Sequence, residues 1–160
     1  MDLPRHTLFV LALMTMAAAL PATPIDTTRD LLMAIENGDG NTLMDILSES
    51  VRVRIEETYS QLQEIAAEDP GMADELLERT GGGMTAWDLE WMEAEDFVSR
   101  LLSGVQIPSP EEIVSERVSM AGRNAEVEVT WHSGYSVTVQ LTWEESTWKV
   151  TGSSLLQRLF

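Results

Sequence analysis

The last third of the chain alternates apolar and polar residues with period two, the pattern of strands with one dry face. Ala125, Val127, Val129 and Trp131 alternate with Glu126, Glu128 and Thr130. Tyr135, Val137, Val139, Leu141 and Trp143 alternate with Ser136, Thr138, Gln140 and Thr142. Trp148 and Val150 stand among Thr147, Lys149 and Thr151. A weaker run, Val114, Val118 and Met120 against Ser115, Arg117 and Ser119, comes first, its apolar face broken by Glu116. Residues directly opposite in an antiparallel pair share a face, so apolar must meet apolar. That rule sets Val129 against Val137 and Val127 against Val139. His132, Ser133 and Gly134 then form a three-residue hairpin loop whose glycine supplies the left-handed position. The same rule sets Trp143 against Trp148 and Leu141 against Val150 around a turn at Glu145 and Ser146. It sets Met120 against Ala125 and Val118 against Val127, closing around Gly122, Arg123 and Asn124.

Upstream the period becomes helical. Thr27 or Thr28 caps a helix to Asn37, with Leu31, Leu32 and Ile35 on one face, and Asn37-Gly38-Asp39-Gly40 ends it. Asn41 or Thr42 caps a short second helix bearing Leu43, Met44, Ile46 and Leu47. Val51 to Ile55 alternates and admits a short strand. Ile55, Tyr59, Leu62 and Ile65 or Ala66 recur at helical spacing up to Glu68, which favours helix. Asp69-Pro70 opens another helix running to about Arg79. Thr85 and Asp88 have capping-box spacing. Trp87, Trp91, Ala94, Val98 and Leu101 or Leu102 then form a stripe ended by Gly104, on one helix or on two divided near Glu93. Helices first and strands last is an α+β arrangement, with N-terminal helices packed on one face of a C-terminal four-stranded antiparallel meander.

The expected organisation is a secretory leader over 1–22, a linker over 23–28 and one α+β domain over 29–160, helical over 29–104 and sheet over 113–156. Arg5 and His6 give the leader a short basic start, Thr7 to Leu20 an apolar stretch, and Ala17-Ala18-Ala19 with Ala22 small residues for cleavage. The expected location is outside the cytoplasm, in the periplasm, envelope or medium. The alternative is an uncleaved segment that anchors the chain in a membrane.

Composition removes several chemistries. With 160 residues and 44% hydrophobic content there is enough for one core. The absence of cysteine excludes disulfides, thiol catalysis and thiolate metal sites. His6 and His132 are the only histidines. A net charge of −17 argues against nucleic acid, and against a membrane surface for the mature chain, as partners. No metal site and no cofactor are assigned. Asp88, Glu90, Glu93, Glu95 and Asp96 crowd one helix but match no calcium loop. His132 has only Ser133 beside it in a hairpin loop, Ser133-Gly134 is no nucleophile elbow, and Gly81-Gly82-Gly83 lacks the lysine and strand of a phosphate loop. The remaining candidates are Trp87, Trp91, Trp131, Trp143 and Trp148. They line a pocket for an apolar ligand, or they are core. Thr130, Thr138, Gln140, Thr142, Lys149 and Thr151 form a polar sheet face, either solvated or a dimer surface.

The opening Asp30-Leu31-Leu32-Met33-Ala34-Ile35-Glu36-Asn37-Gly38-Asp39, and the closing strand Trp148-Lys149-Val150, resemble the nuclear transport factor-like, or SnoaL-type, α+β cone superfamily. The nearer likeness is to its small secreted bacterial members. The resemblance spans roughly 26–156 and implies a curved sheet around helices, an apolar pocket at the wide end and dimerisation through the sheet. Its enzymes carry Asp, His or Tyr inside the cone. Here the inward face carries Val, Leu, Ala and Trp, and no acid beyond Glu116. The expected function is therefore non-enzymatic binding of an apolar small ligand or a protein partner. The alternatives are a SnoaL-like isomerase or hydrolase, and an assembly module dimerising through its sheet.

Overall fold

The computed structural model describes residues 21–80 and 82–158. Almost all of the expected leader lies outside them. Among these residues six α-helices precede a four-stranded antiparallel sheet: α1 Pro24–Asn37, α2 Gly40–Ile46, α3 Glu49–Glu68, α4 Pro70–Glu78, α5 Ala86–Leu89 and α6 Ala94–Ser103, then β1 Ile113–Ala121, β2 Asn124–Trp131, β3 Ser136–Glu144 and β4 Thr147–Ser153. The strand order is β1-β2-β3-β4, a meander, and the class is α+β. None of the described helices is long and apolar enough to cross a membrane.

The pairs required by apolar matching are those observed: Val118–Val127, Met120–Ala125, Val127–Val139, Val129–Val137, Leu141–Val150 and Trp143–Trp148. Gly134 has φ +80 in the β2–β3 loop. The β1–β2 turn is tighter than expected, because Ala121 pairs with Asn124 and leaves only Gly122 and Arg123 between them. Gly122 takes the positive φ this two-residue turn needs. Irregularities at Val114 and Thr151 interrupt the register of β1 and β4.

Helix α1 begins earlier than the threonines at 27 and 28. Thr23 caps it, Pro24 occupies the first turn, and Asp26 closes a capping box. The Thr23 hydroxyl accepts from the Asp26 amide at 3.2 Å, and the Asp26 carboxylate accepts from the Thr23 amide at 2.9 Å. Residues 24–28 are therefore helix rather than linker, and Thr27 and Thr28 are buried inside it. Gly38, at φ +65, ends α1, with its amide on the Ile35 carbonyl and the Asp39 amide on the Ala34 carbonyl, the two bonds of a Schellman motif. Asp39 then caps α2 in place of Asn41 or Thr42. Val51 to Ile55 lies within α3, so the short-strand alternative is not taken.

Leu31, Leu32, Ala34 and Ile35 of α1 meet the inner sheet face, where Ala125, Val127, Val129, Val137, Val139, Leu141 and Val150 are buried. Each large aliphatic side chain so placed contributes about 1.5–3 kcal/mol over its exposed state. Helix α6 packs on α2, while α3, α4 and α5 pack on one another. The β4 edge is closed by the α2–α3 junction, where the Ser48 amide donates to the Val150 carbonyl at 2.9 Å. No described strand lies along the other edge, β1.

Candidate functional site

The five tryptophans do not come together. Trp131 is a core residue at 1% exposure, its indole N–H donating to the Ser109 carbonyl at 2.9 Å. Trp148 is buried as well, with Trp143, half-buried, edge-on at 5.3 Å. These three pack the sheet against the helices. Trp87 and Trp91 are instead each 71% exposed.

The chain arrives at that exposure through a helix that stops. Of the two arrangements expected for the stripe from Trp87 to Leu102, one helix or two divided near Glu93, the structure takes the second. Thr85 and Asp88 do form the capping box, but α5 lasts only from Ala86 to Leu89. Glu93 takes an extended conformation, φ −94 and ψ 167, and α6 restarts at Ala94. Phe97, Val98, Leu101 and Leu102 keep the buried stripe. Trp87 and Trp91 are left on the short segment before it and face outward.

That segment is fixed from two sides. The Gln63 side-chain amide of α3 donates to the Leu89 carbonyl at 2.9 Å and to the Tyr59 hydroxyl at 2.9 Å. The Tyr59 hydroxyl in turn donates to the Met92 carbonyl. From α4, the Asp74 carboxylate accepts from the Ala86 amide at 2.6 Å. The Tyr59 ring packs against Phe97 at 5.3 Å. Burial raises the Tyr59 phenol above its ordinary range, and the carboxylates of Asp96, Glu93 and Glu95 add to the shift. The hydroxyl therefore stays protonated and can serve as donor to the Met92 carbonyl. Asp88 is held below the usual carboxylate range by the Thr85 amide and hydroxyl.

Between this segment and the C-terminal turns of α3 lies a groove of about 520 Å³. Leu89, Ala86, Ala66 and Pro70 give it an apolar lining, with Trp87 at one side and Gln63 and Glu90 as polar groups. Neither Glu116 nor His132 is among the residues that line it. Glu116 is bound by the Arg29 guanidinium through two contacts, 2.8 and 2.5 Å. His132 is exposed in the β2–β3 loop. No group of three or more potential metal ligands occurs among the described residues.

Sequence reasoning pointed to Trp87 but not to Gln63, Tyr59 or Asp74 as its supports. Gln63 lies one helical turn after Tyr59, a spacing that places the two together, yet nothing local shows that they reach the Leu89 and Met92 carbonyls.

Comparison with family models, with curated proteins and with solved structures gives no match for this chain.

Proposed function

We propose that this protein is a non-enzymatic binding module and that its contact site is the groove beside Trp87, with Trp91 at its margin. The observation that carries the reading is the outward display of two tryptophans on a segment held rigid by Gln63, Tyr59 and Asp74. An indole can bury 150–250 Å², so leaving two of them 71% exposed forgoes about 3–4 kcal/mol each at roughly 25 cal/mol per Å². Tryptophans presented in this way are the residue type that dominates binding energy at interfaces. The segment is pre-ordered, so little conformational freedom is lost on contact. An apolar leader that exports the chain fits this role, and the α+β cone resemblance fits it as a scaffold rather than as a catalyst. The isomerase or hydrolase alternative has Glu116 and His132 as its candidates; the first is neutralised by Arg29 and the second is solvated.

The test is native mass spectrometry of the full chain recovered gently from the envelope, beside the Trp87→Ala/Trp91→Ala variant. The expected result is an adduct mass on the parent, absent from the variant, with the variant melting within about 0.5 kcal/mol of the parent as exposed positions do. Identical spectra for the two proteins would overturn the reading.

A second reading, assembly through the sheet, is favoured by one observation. Strand β1 leaves Val118 and Met120 at 40% and 56% exposure beside an open edge. Its two charges, Glu116 and Arg117, are both in ion pairs, so this strip is neutral on a chain of net charge −17. A second copy could add its β1 there without charge repulsion. Sedimentation of the parent and of Met120→Lys decides it. A dimer that dissociates in the variant supports this reading, and a monomer at every concentration removes it.

A further inference from the structure

We propose that the occupant of the Trp87 groove is a basic segment of another protein, with an apolar side chain seated against Trp87 and lysine or arginine side chains on the rim. This rests on the reading that the groove is the contact site.

The groove supplies the apolar half. Its volume lies in the range of pockets that take small ligands or a few side chains, and its floor is made by Leu89, Ala86 and Ala66. The rim supplies the charge. Between Gln61 and Arg100 the basic residues are Arg79, which Glu75 holds at 2.6 Å, and Arg100, whose charge acts on Asp88, against eleven carboxylates. Three aspartates of this region are engaged by backbone amides: Asp69 by Met72, Asp74 by Ala86 and Asp88 by Thr85. The glutamates are not so engaged. Glu90 lines the groove.

An apolar floor beside an aromatic face and a free carboxylate selects a cation with a hydrocarbon stem. Arginine and lysine have that form, and their charged heads are also attracted to the face of an indole. The other occupants are disfavoured on charge. Anionic lipid headgroups are repelled by the rim, and a second copy brings −17 of its own. A neutral apolar molecule would fill the floor and leave the rim unused.

The experiment uses the full chain and follows its tryptophan indole N–H resonances, assigned by single Trp→Phe variants. The probes are a short amphipathic peptide of leucine and lysine, the same peptide with glutamate for lysine, 1-naphthol, and phosphatidylcholine vesicles. The expected result is a saturable shift of the Trp87 and Trp91 signals with the leucine–lysine peptide and none with its glutamate counterpart. Trp131 and Trp143 should not move. Affinity should fall several-fold in a Glu90→Gln variant, and fall again as salt is raised. Equal binding of the two peptides, or an unchanged affinity in that variant, overturns the basic occupant. Shifts produced by naphthol or vesicles but not by the basic peptide overturn it too, while leaving the groove as the contact site. If no probe moves Trp87 or Trp91, the groove reading fails with it.

Discussion

At Gly40 helices α2 and α6 approach closely, and a single methyl group tests the fit. Its amide donates to the Ser99 hydroxyl of α6 at 2.9 Å. A Cβ there would fall on the Glu95 carbonyl oxygen and 2.7 Å from the Ser99 amide nitrogen, both backbone atoms that cannot swing aside. Gly40→Ala should therefore destabilise by about 1–3 kcal/mol, as overpacking does, although alanine is the better helix former. Urea unfolding measures it, and an unchanged midpoint would mean that α2 and α6 are not in this contact. Thr28 gives the opposite sign. Its hydroxyl is buried without a hydrogen-bond partner among the described residues. Thr28→Val keeps the shape and removes the unsatisfied group, so it should stabilise by about 1 kcal/mol; a loss of stability would reveal a partner for that hydroxyl. Neither effect was legible in the sequence. Gly40 reads there as a helix stop, and Thr28 reads as a cap. The actual cap, Thr23 with Pro24 and Asp26, does carry a readable signal. It was masked by the expectation that a leader and linker extend that far.

At the scale of elements, the sheet was the legible part and the segment bearing the site was not. Period-two patterning fixes faces, and cross-strand matching then fixes register, because a slip of one residue would turn Val127 and Val139 to solvent. The turns add little freedom. The β3–β4 turn nevertheless holds strain: Glu145 and Ser146 adopt φ +48 and +68 with side chains that disfavour it. Replacing the pair by Asn-Gly, the sequence preferred where both central residues have positive φ, should stabilise the hairpin by about 0.5–1 kcal/mol in thermal melts. No gain would mean that the turn relaxes differently in solution. Helix starts respond to pH. Asp26 and Asp88 are held below the usual carboxylate range first by the amides of Thr23 and Thr85, and Asp39 first by the Thr42 hydroxyl. A depressed folded-state value means stability present above the ordinary carboxylate range and lost as pH falls through the folded value. Protection factors of the amides at the starts of α1, α2 and α5 should fall below about pH 4, the range in which free Asp titrates. The Asp26→Asn variant should flatten that dependence at α1 alone, and an identical profile would show that the carboxylate contributes nothing. The break between α5 and α6 has no such signal. Glu93 is an indifferent cap and makes no side-chain cap bond, so the sequence leaves one helix or two open for the Trp87-to-Leu102 stripe, and tertiary bonds from Gln63 and Tyr59 stabilise the interruption.

For the whole molecule, charge and core are separated. The inner sheet face and α1 form an apolar centre, while most of the excess carboxylates lie on helix surfaces. The ion pairs involving α3 and α4 lie within single helices and are largely solvated, so they offset little of a net −17. Like charges on a compact chain repel one another, and unfolding moves them apart. Salt screens that repulsion, with a Debye length of about 10 Å at 0.1 M. The melting temperature of the full chain should thus rise as sodium chloride increases from about 0.02 to 0.2 M, a range over which the Debye length shrinks by roughly threefold. The same salt should weaken a basic peptide at the Trp87 groove, because there the screened interaction is attractive. Opposite responses to one variable, stability rising while affinity falls, separate the acidic surface as a cost to folding from the acidic rim as a means of recognition. A melting temperature that falls with salt would show instead that the carboxylates are balanced locally by the few arginines, and Glu90 at the groove would lose its claim to uncompensated charge.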